Sequence, residues 1–186
     1  MTDRTGTITV LTGPMAAGKT TRLLLERAND PGRIYSPRAD VRERVTHDGR
    51  PIPCVIVDSA TDILREVVAD DERAVRDGCV AYRAPVYIDE AQFFCGDLLS
   101  VVRELSLMGH DVTLAGLSLT YQGAPFGPLP LIMCEADRII TLRSTCTECG
   151  APAMYTDRIG ATLEGGCGGL DCYAPRCRRH WRGGCF

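Results

Sequence analysis

Gly13-Pro14-Met15-Ala16-Ala17-Gly18-Lys19-Thr20 has the spacing G-x-x-x-x-G-K-[ST] of a phosphate-binding loop. Such a loop works through its backbone. Gly13 and Gly18 allow a turn in which successive N–H groups converge on phosphate oxygens at the start of a helix. Lys19 then reaches the outer phosphates, and the Thr20 hydroxyl is placed to hold Mg²⁺. A second group with chemical potential is Asp89-Glu90, at the end of the apolar run Val86-Tyr87-Ile88. Asp89 is the better candidate for the metal's surroundings, and Glu90, next along a strand end, should point elsewhere. A carboxylate at that place could position an attacking water, as in an ATPase, or take the proton of a substrate alcohol, as in a kinase. The residues alone leave both open.

The third group is made of cysteine. Six of the ten cysteines fall between Cys146 and Cys185. Cys146-Thr147-Glu148-Cys149 and Cys177-Arg178-Arg179-His180 are two pairs at knuckle spacing, and together they form a Cys₃His set suited to tetrahedral Zn²⁺. With four protein ligands and no neighbouring base, such a site would be structural. The rival arrangements put Cys167, Cys172 or Cys185 in place of one ligand, or pair the extra thiols as disulfides. Arg176, Arg178, Arg179 and Arg182 read as a solvated surface of this module. His47 and His110 read as a loop residue and a surface residue rather than ligands. Cys54, Cys79, Cys95 and Cys134 are scattered, as buried apolar thiols in a reducing compartment would be.

The elements that must carry these groups follow from pattern. Thr7–Leu11 is β-branched and apolar, and Thr21–Ala28 is rich in helix formers, so strand, loop and helix stand in the order the phosphate loop needs. Further strands are expected at 33–36, 53–57, 86–90, 111–117 and 138–142. Helices are expected at 60–71, capped by Asp58 or Ser59, and at 97–108, closed by Gly109. Segments 36–53 and 118–130 read as loops. Alternating strands and helices imply an α/β fold with a mostly parallel sheet covered on both faces, its ligands beyond the carboxyl ends of the strands. Helical periodicity disappears after about Arg143. The expected division is a nucleotide-binding domain over 1–143 and a metal-binding domain over 144–186.

Composition narrows the partners. The 186-residue chain carries a net charge of −3, with no basic surplus to attract nucleic acid or an anionic membrane surface. Met1–Gly6 has no apolar signal core, and no run approaches the ~20 apolar residues of a membrane span. A soluble cytoplasmic protein is expected.

Several ordered stretches resemble the type II thymidine kinases. They are Gly13–Thr20, Thr46-His47-Asp48-Gly49-Arg50, Asp89-Glu90-Ala91-Gln92-Phe93-Phe94, Gly116-Leu117, Thr120-Tyr121-Gln122 and Pro125-Phe126-Gly127. The series continues through Ala153-Met154-Tyr155-Thr156 and Gly168-Gly169-Leu170-Asp171-Cys172-Tyr173 to the last Cys-x-x-His. The resemblance implies a RecA-like P-loop kinase that transfers the ATP γ-phosphate to the thymidine 5′-hydroxyl, with deoxyuridine as a second acceptor. It implies ATP contacts at Gly13, Pro14, Met15, Ala16, Ala17, Gly18, Lys19, Thr20, Asp89, Glu90, Ala91 and Gln92, with Glu90 as catalytic base. Thr20, Asp89, Asp40 and Arg42 would serve Mg²⁺ and transition-state charge. Met15, Phe93, Leu117, Tyr121, Phe126, Thr156, Gly168 and Tyr173 would bind the nucleoside, beneath a lasso around Glu164–Asp171. Zn²⁺ on Cys146, Cys149, Cys177 and His180, a homotetramer and inhibition by dTTP are also implied. The chain departs from the family at Ser118, where many members carry an acid, and in a lasso unusually rich in Gly and Cys.

Overall fold

A computed structural model describes residues 5–40, 51–79, 83–160 and 170–183. Arg42, His47, Cys167, Gly168 and Cys185 lie outside the described residues, as does most of the lasso. The main sheet has six strands: β1 (Ile8–Thr12), β2 (Arg33–Pro37), β3 (Val55–Val57), β4 (Val86–Ile88), β5 (Val112–Gly116) and β6 (Arg138–Thr141). Their spatial order is β3-β2-β4-β5-β1-β6, and every pairing is parallel.

Parallel strands buried on both faces must send alternate residues to opposite sides. Ile8 and Val10 of β1, Val86 and Ile88 of β4, and Val112 and Leu114 of β5 join the larger core cluster. On that side lie α2 (Ala60–Arg76) and α3 (Leu98–Leu107). Leu11, Ile34, Tyr87 and Ala115 face the other way, against Leu23 of α1 (Lys19–Asn29). The helices therefore cover both faces. Ser59 begins α2 with a reciprocal capping box: its hydroxyl accepts the Asp62 N–H while the Asp62 carboxylate accepts the Ser59 N–H. Helix α2 runs to Arg76, past the apolar stripe that ends near Val68, because its last turns are held by backbone bonds and charged side chains.

The 118–130 segment is not all loop. Pro128 opens a short helix, α4 (Leu129–Met133), which buries Leu129 and Ile132 one turn apart. Five residues are too few to show a helical period in sequence. His110 is not a surface residue: it is 1% exposed, with its ring nitrogens against the Ala84 carbonyl and the Asp71 carboxylate. Its place in the tight turn between α3 and β5 forces it inward. Nor are the scattered cysteines buried. Cys79, Cys95 and Cys134 are exposed and Cys54 is half-buried, since they fall at element ends rather than on core faces.

The main sheet ends at Thr141, and small antiparallel pairs follow from Ser144. β7 (Ser144–Thr145) pairs with β8 (Pro152–Ala153), and β9 (Tyr155–Arg158) with β10 (Tyr173–Arg176).

Leu114 is fully buried at the centre of the sheet. Leu114→Ala should destabilise the protein by about 2–5 kcal/mol, read as a lower urea midpoint with little change in slope.

Candidate active site and metal centre

The phosphate loop joins β1 to α1. Gly13 lies so close to the Leu142 carbonyl that a Cβ would come within 2.4 Å of it. Gly18 (φ 79°) precedes the first residue of α1 and supplies no side-chain cap, leaving the first amides of the helix turned toward the loop. Ala16 also has positive φ, 57°. The Lys19 ammonium donates to the Pro14 carbonyl at 2.8 Å.

Two longer reaches fix this loop from outside. The Met15 N–H donates to Thr156 Oγ1 at 3.0 Å, and Ser144 Oγ donates to the Ala16 carbonyl at 3.1 Å. Both partners come from the C-terminal strands.

Across the sheet, Thr20 Oγ1 donates to Asp89 Oδ2 at 2.9 Å. Asp89 is buried at the end of β4. Burial first, and the neighbouring Glu90 charge second, push its carboxyl up to about 7, against the opposing bonds from Thr20 and the Glu90 N–H and the Lys19 charge. A hydroxyl beside a carboxylate is a hard oxygen donor set that fits Mg²⁺. Asp40, the other acid singled out, is buried just beyond β2, and its N–H donates to the Pro37 carbonyl. Because β2 neighbours β4, both acids lie at the same end of the sheet.

Glu90 departs from simple strand alternation. It sits in the left-handed region at φ 52° and starts the 3₁₀ turn Ala91–Phe93. Its Oε2 accepts from Gln92 Nε2 at 2.6 Å, while Gln92 Oε1 accepts the Leu117 N–H at 3.0 Å. The buried Gln92 thus ties the carboxylate to the start of the loop after β5. Gly116 permits this, since a Cβ there would stand 2.4 Å from Gln92 Oε1. Sequence reading grouped Gln92 with the ATP contacts. Its bridge was not readable, because Leu117 lies 25 residues away in the chain.

The aromatic groups meet in pairs. Phe93 lies edge-on to Phe126 at 5.5 Å, whereas Phe94 is buried in the core. Tyr121 stands 6.0 Å from Tyr173, with the Arg158 guanidinium over its ring. Residues 118–126 fold back on themselves through the Leu119–Pro125 bridge and the Thr120–Ala124 bond. Phe93, Tyr121, Phe126 and Tyr173 therefore lie on segments that border the acid pair and the phosphate loop. Flat aromatic faces with a few fixed polar groups suit a planar base.

Cys146, Cys149, Cys177 and His180 converge, their ligand atoms all within 4.8 Å of one another. Cys149 Sγ and Cys177 Sγ are 3.8 Å apart; His180 Nδ1 is 3.5 Å from Cys177 Sγ and 3.7 Å from Cys146 Sγ. A tetrahedron with zinc-type bond lengths has S–S edges of about 3.8 Å and S–N edges of about 3.6 Å. The donor set fits. Burial pushes the Cys146 thiol up, but N–H groups of Cys177, Glu148 and Cys149 and the His180 ring outweigh it, bringing the thiol down to about 5. Cys149 is raised: the Ala151 amide lowers it, but burial and the neighbouring sulfurs prevail. Cys172 is disulfide-bonded and stands outside the cluster. Arg176 is not solvated. It is 8% exposed and pairs with Glu148 at 2.9 Å, bracing the first knuckle.

A protein-family model described as thymidine kinase matches residues 6–181. A thymidine kinase of Mycoplasmoides gallisepticum is 33% identical over 196 residues, covering 97% of this chain and 83% of that one. The thymidine kinase of Rhodothermus sp. is 37% identical over 186 residues, covering 94% and 80%. Among solved structures, the Legionella pneumophila ATPase DotB is a distant likeness: TM-score 0.41, 14% identity, 81% of this chain and 44% of that one.

Two outcomes are expected of these groups. Elemental analysis should find about one thiolate-bound metal ion per chain, lost in Cys149→Ser together with cooperative melting of the C-terminal strands. Asp89 binds its proton more tightly folded than unfolded, so its contribution to stability is present at acid pH and disappears as pH rises through about 7. In nucleotide- and Mg²⁺-free protein, Asp89→Asn should therefore gain stability relative to wild type between pH 5 and 8, measured by urea unfolding.

Proposed function

Because the chain belongs to the thymidine kinase family, we propose that it transfers the ATP γ-phosphoryl group to the 5′-hydroxyl of thymidine. The products are ADP and dTMP, deoxyuridine is a second acceptor, and the reaction serves pyrimidine deoxynucleotide salvage. One observation carries this beyond the family name. A continuous set of contacts runs from the phosphate loop through Thr20 and Asp89 to Glu90, then through Gln92 to Leu117 at the start of the aromatic loop.

The chemistry follows from that line of contacts. The loop amides and Lys19 hold the phosphates, and positioning with charge neutralisation lowers the barrier. Glu90 accepts the 5′-hydroxyl proton as the oxygen attacks phosphorus in line with the departing ADP oxygen. Gln92 fixes the orientation of the Glu90 carboxylate. Met15, Phe93, Leu117, Tyr121, Phe126, Thr156 and Tyr173 wall the nucleoside, with Gly168 and the lasso amides at the base edge. Thr20 and Asp89, with Asp40 nearby, would hold Mg²⁺, which when bound neutralises phosphate charge. Arg42 serves transition-state charge. Zn²⁺ is the metal of the Cys₃His group and has a structural role. Family likeness also supports a cytoplasmic homotetramer inhibited by dTTP. Among the described residues no helix is long and apolar enough to cross a membrane.

ADP release should depend on an added acceptor, strongest with thymidine, then deoxyuridine, and weak with deoxycytidine or none. Glu90→Gln should lower kcat by about 10²–10⁴-fold while thymidine still binds. Equal ADP release without acceptor would instead make the protein an ATPase.

A further inference from the structure

Trp181 is the chain's only tryptophan, and it follows directly on His180. Its backbone belongs to the second knuckle: both the His180 and Trp181 N–H groups donate to the Cys177 carbonyl, at 3.1 and 3.0 Å. Its side chain belongs elsewhere. Indole Nε1 donates to the Tyr121 carbonyl at 3.0 Å, and the ring stacks on Tyr155 with centroids 4.5 Å apart and planes 16° from parallel. Gly123 makes room for the ring. A Cβ there would lie 2.6 Å from the indole, and the residue already needs φ 80°.

These contacts join three parts of the molecule. Tyr121 and Gly123 form the tip of the 118–126 loop. Tyr155 precedes Thr156, whose hydroxyl accepts the Met15 N–H of the phosphate loop. The remaining tie is to the metal-binding knuckle through Cys177. The 118–126 segment keeps its shape through short bonds within itself, and besides Trp181 it meets the rest of the molecule through ring contacts, Phe126 on Phe93 and Tyr121 beside Tyr173 and Arg158.

We propose that Trp181 is a positioning residue for the nucleoside site, pinning the Tyr121–Gly123 turn to the Cys₃His knuckle so that Tyr121 and Phe126 stand ready for the acceptor. The inference rests on thymidine being that acceptor. Preorganising a loop saves the free energy of ordering it on binding, so the pin acts on nucleoside affinity and not on phosphoryl transfer. It also gives the metal module a task beyond its own folding.

The test compares wild type, Trp181→Phe and Trp181→Ala as full-length, metal-replete protein, with metal content measured for each. Phe keeps the stack on Tyr155 but loses the N–H bond, so the thymidine KM should rise about 3- to 10-fold. Ala loses both, and KM should rise about 10- to 100-fold. In both variants kcat and the ATP KM should stay within about twofold, because the phosphate side keeps its own supports. Hydrogen exchange should show faster exchange across 118–126 in Trp181→Ala, with the sheet unaffected. An unchanged thymidine KM in metal-replete Trp181→Ala overturns the inference, as does a parallel collapse of kcat and both KM values. If wild type converts no thymidine, the proposed activity fails instead, and loop exchange alone then decides the pin: unchanged protection of 118–126 overturns it.

Discussion

The hydrogen bond from Thr20 to Asp89 exists because β5 is the only strand between β1 and β4. All three run the same way, so the loop that follows β1 and the acids that follow β4 emerge at one end of the sheet. Alternating burial locks that arrangement. A shift of one residue in β1 or β4 would turn Val10 or Ile88 out of the larger core and put Leu11 or Tyr87 in its place. Gly116 at the end of β5 then leaves the space in which Gln92 crosses from Glu90 to Leu117. The phosphate loop and the segments that carry Glu90 and Leu117 are brought together by strand register, with a glycine where a side chain would intrude.

The C-terminal module contributes position as well as chemistry of its own. Its strands are two to four residues long and contain few buried apolar side chains. Such a segment gains little from burial, so a metal ion on the Cys₃His group would supply folding free energy that a core cannot. Thr156 and Ser144 carry that rigidity to the backbone of the phosphate loop, and Arg176 with Glu148 braces the knuckle itself.

What was legible in the sequence was local. The phosphate loop, the strand before it, a helix cap at Asp58 or Ser59 and the two cysteine pairs are each short patterns whose chemistry depends on near neighbours. The parallel sheet followed from alternation of such patterns. Other features depend on contacts between distant residues and left no local trace. Glu90 takes a left-handed conformation in place of strand alternation, and Gln92 ties it to Leu117, 25 residues on. His110 is buried by the closeness of Ala84 and Asp71, and Arg176 by Glu148 and Asp157. Trp181 carries no local signal of its packing, because Tyr121 and Gly123, which receive its ring, lie far upstream. Helix α4 was hidden by its brevity.

The central claim is that one carboxylate, Glu90, faces the acceptor hydroxyl while the phosphate loop holds the donor. A crystal structure with thymidine, Mg²⁺ and a non-hydrolysable ATP analogue tests this most directly. Glu90 should lie within hydrogen-bond reach, about 3 Å, of the 5′-oxygen, with that oxygen in line with the γ-phosphorus. A Glu90 side chain directed away from the sugar, or thymidine bound beyond reach of the γ-phosphate, would contradict it.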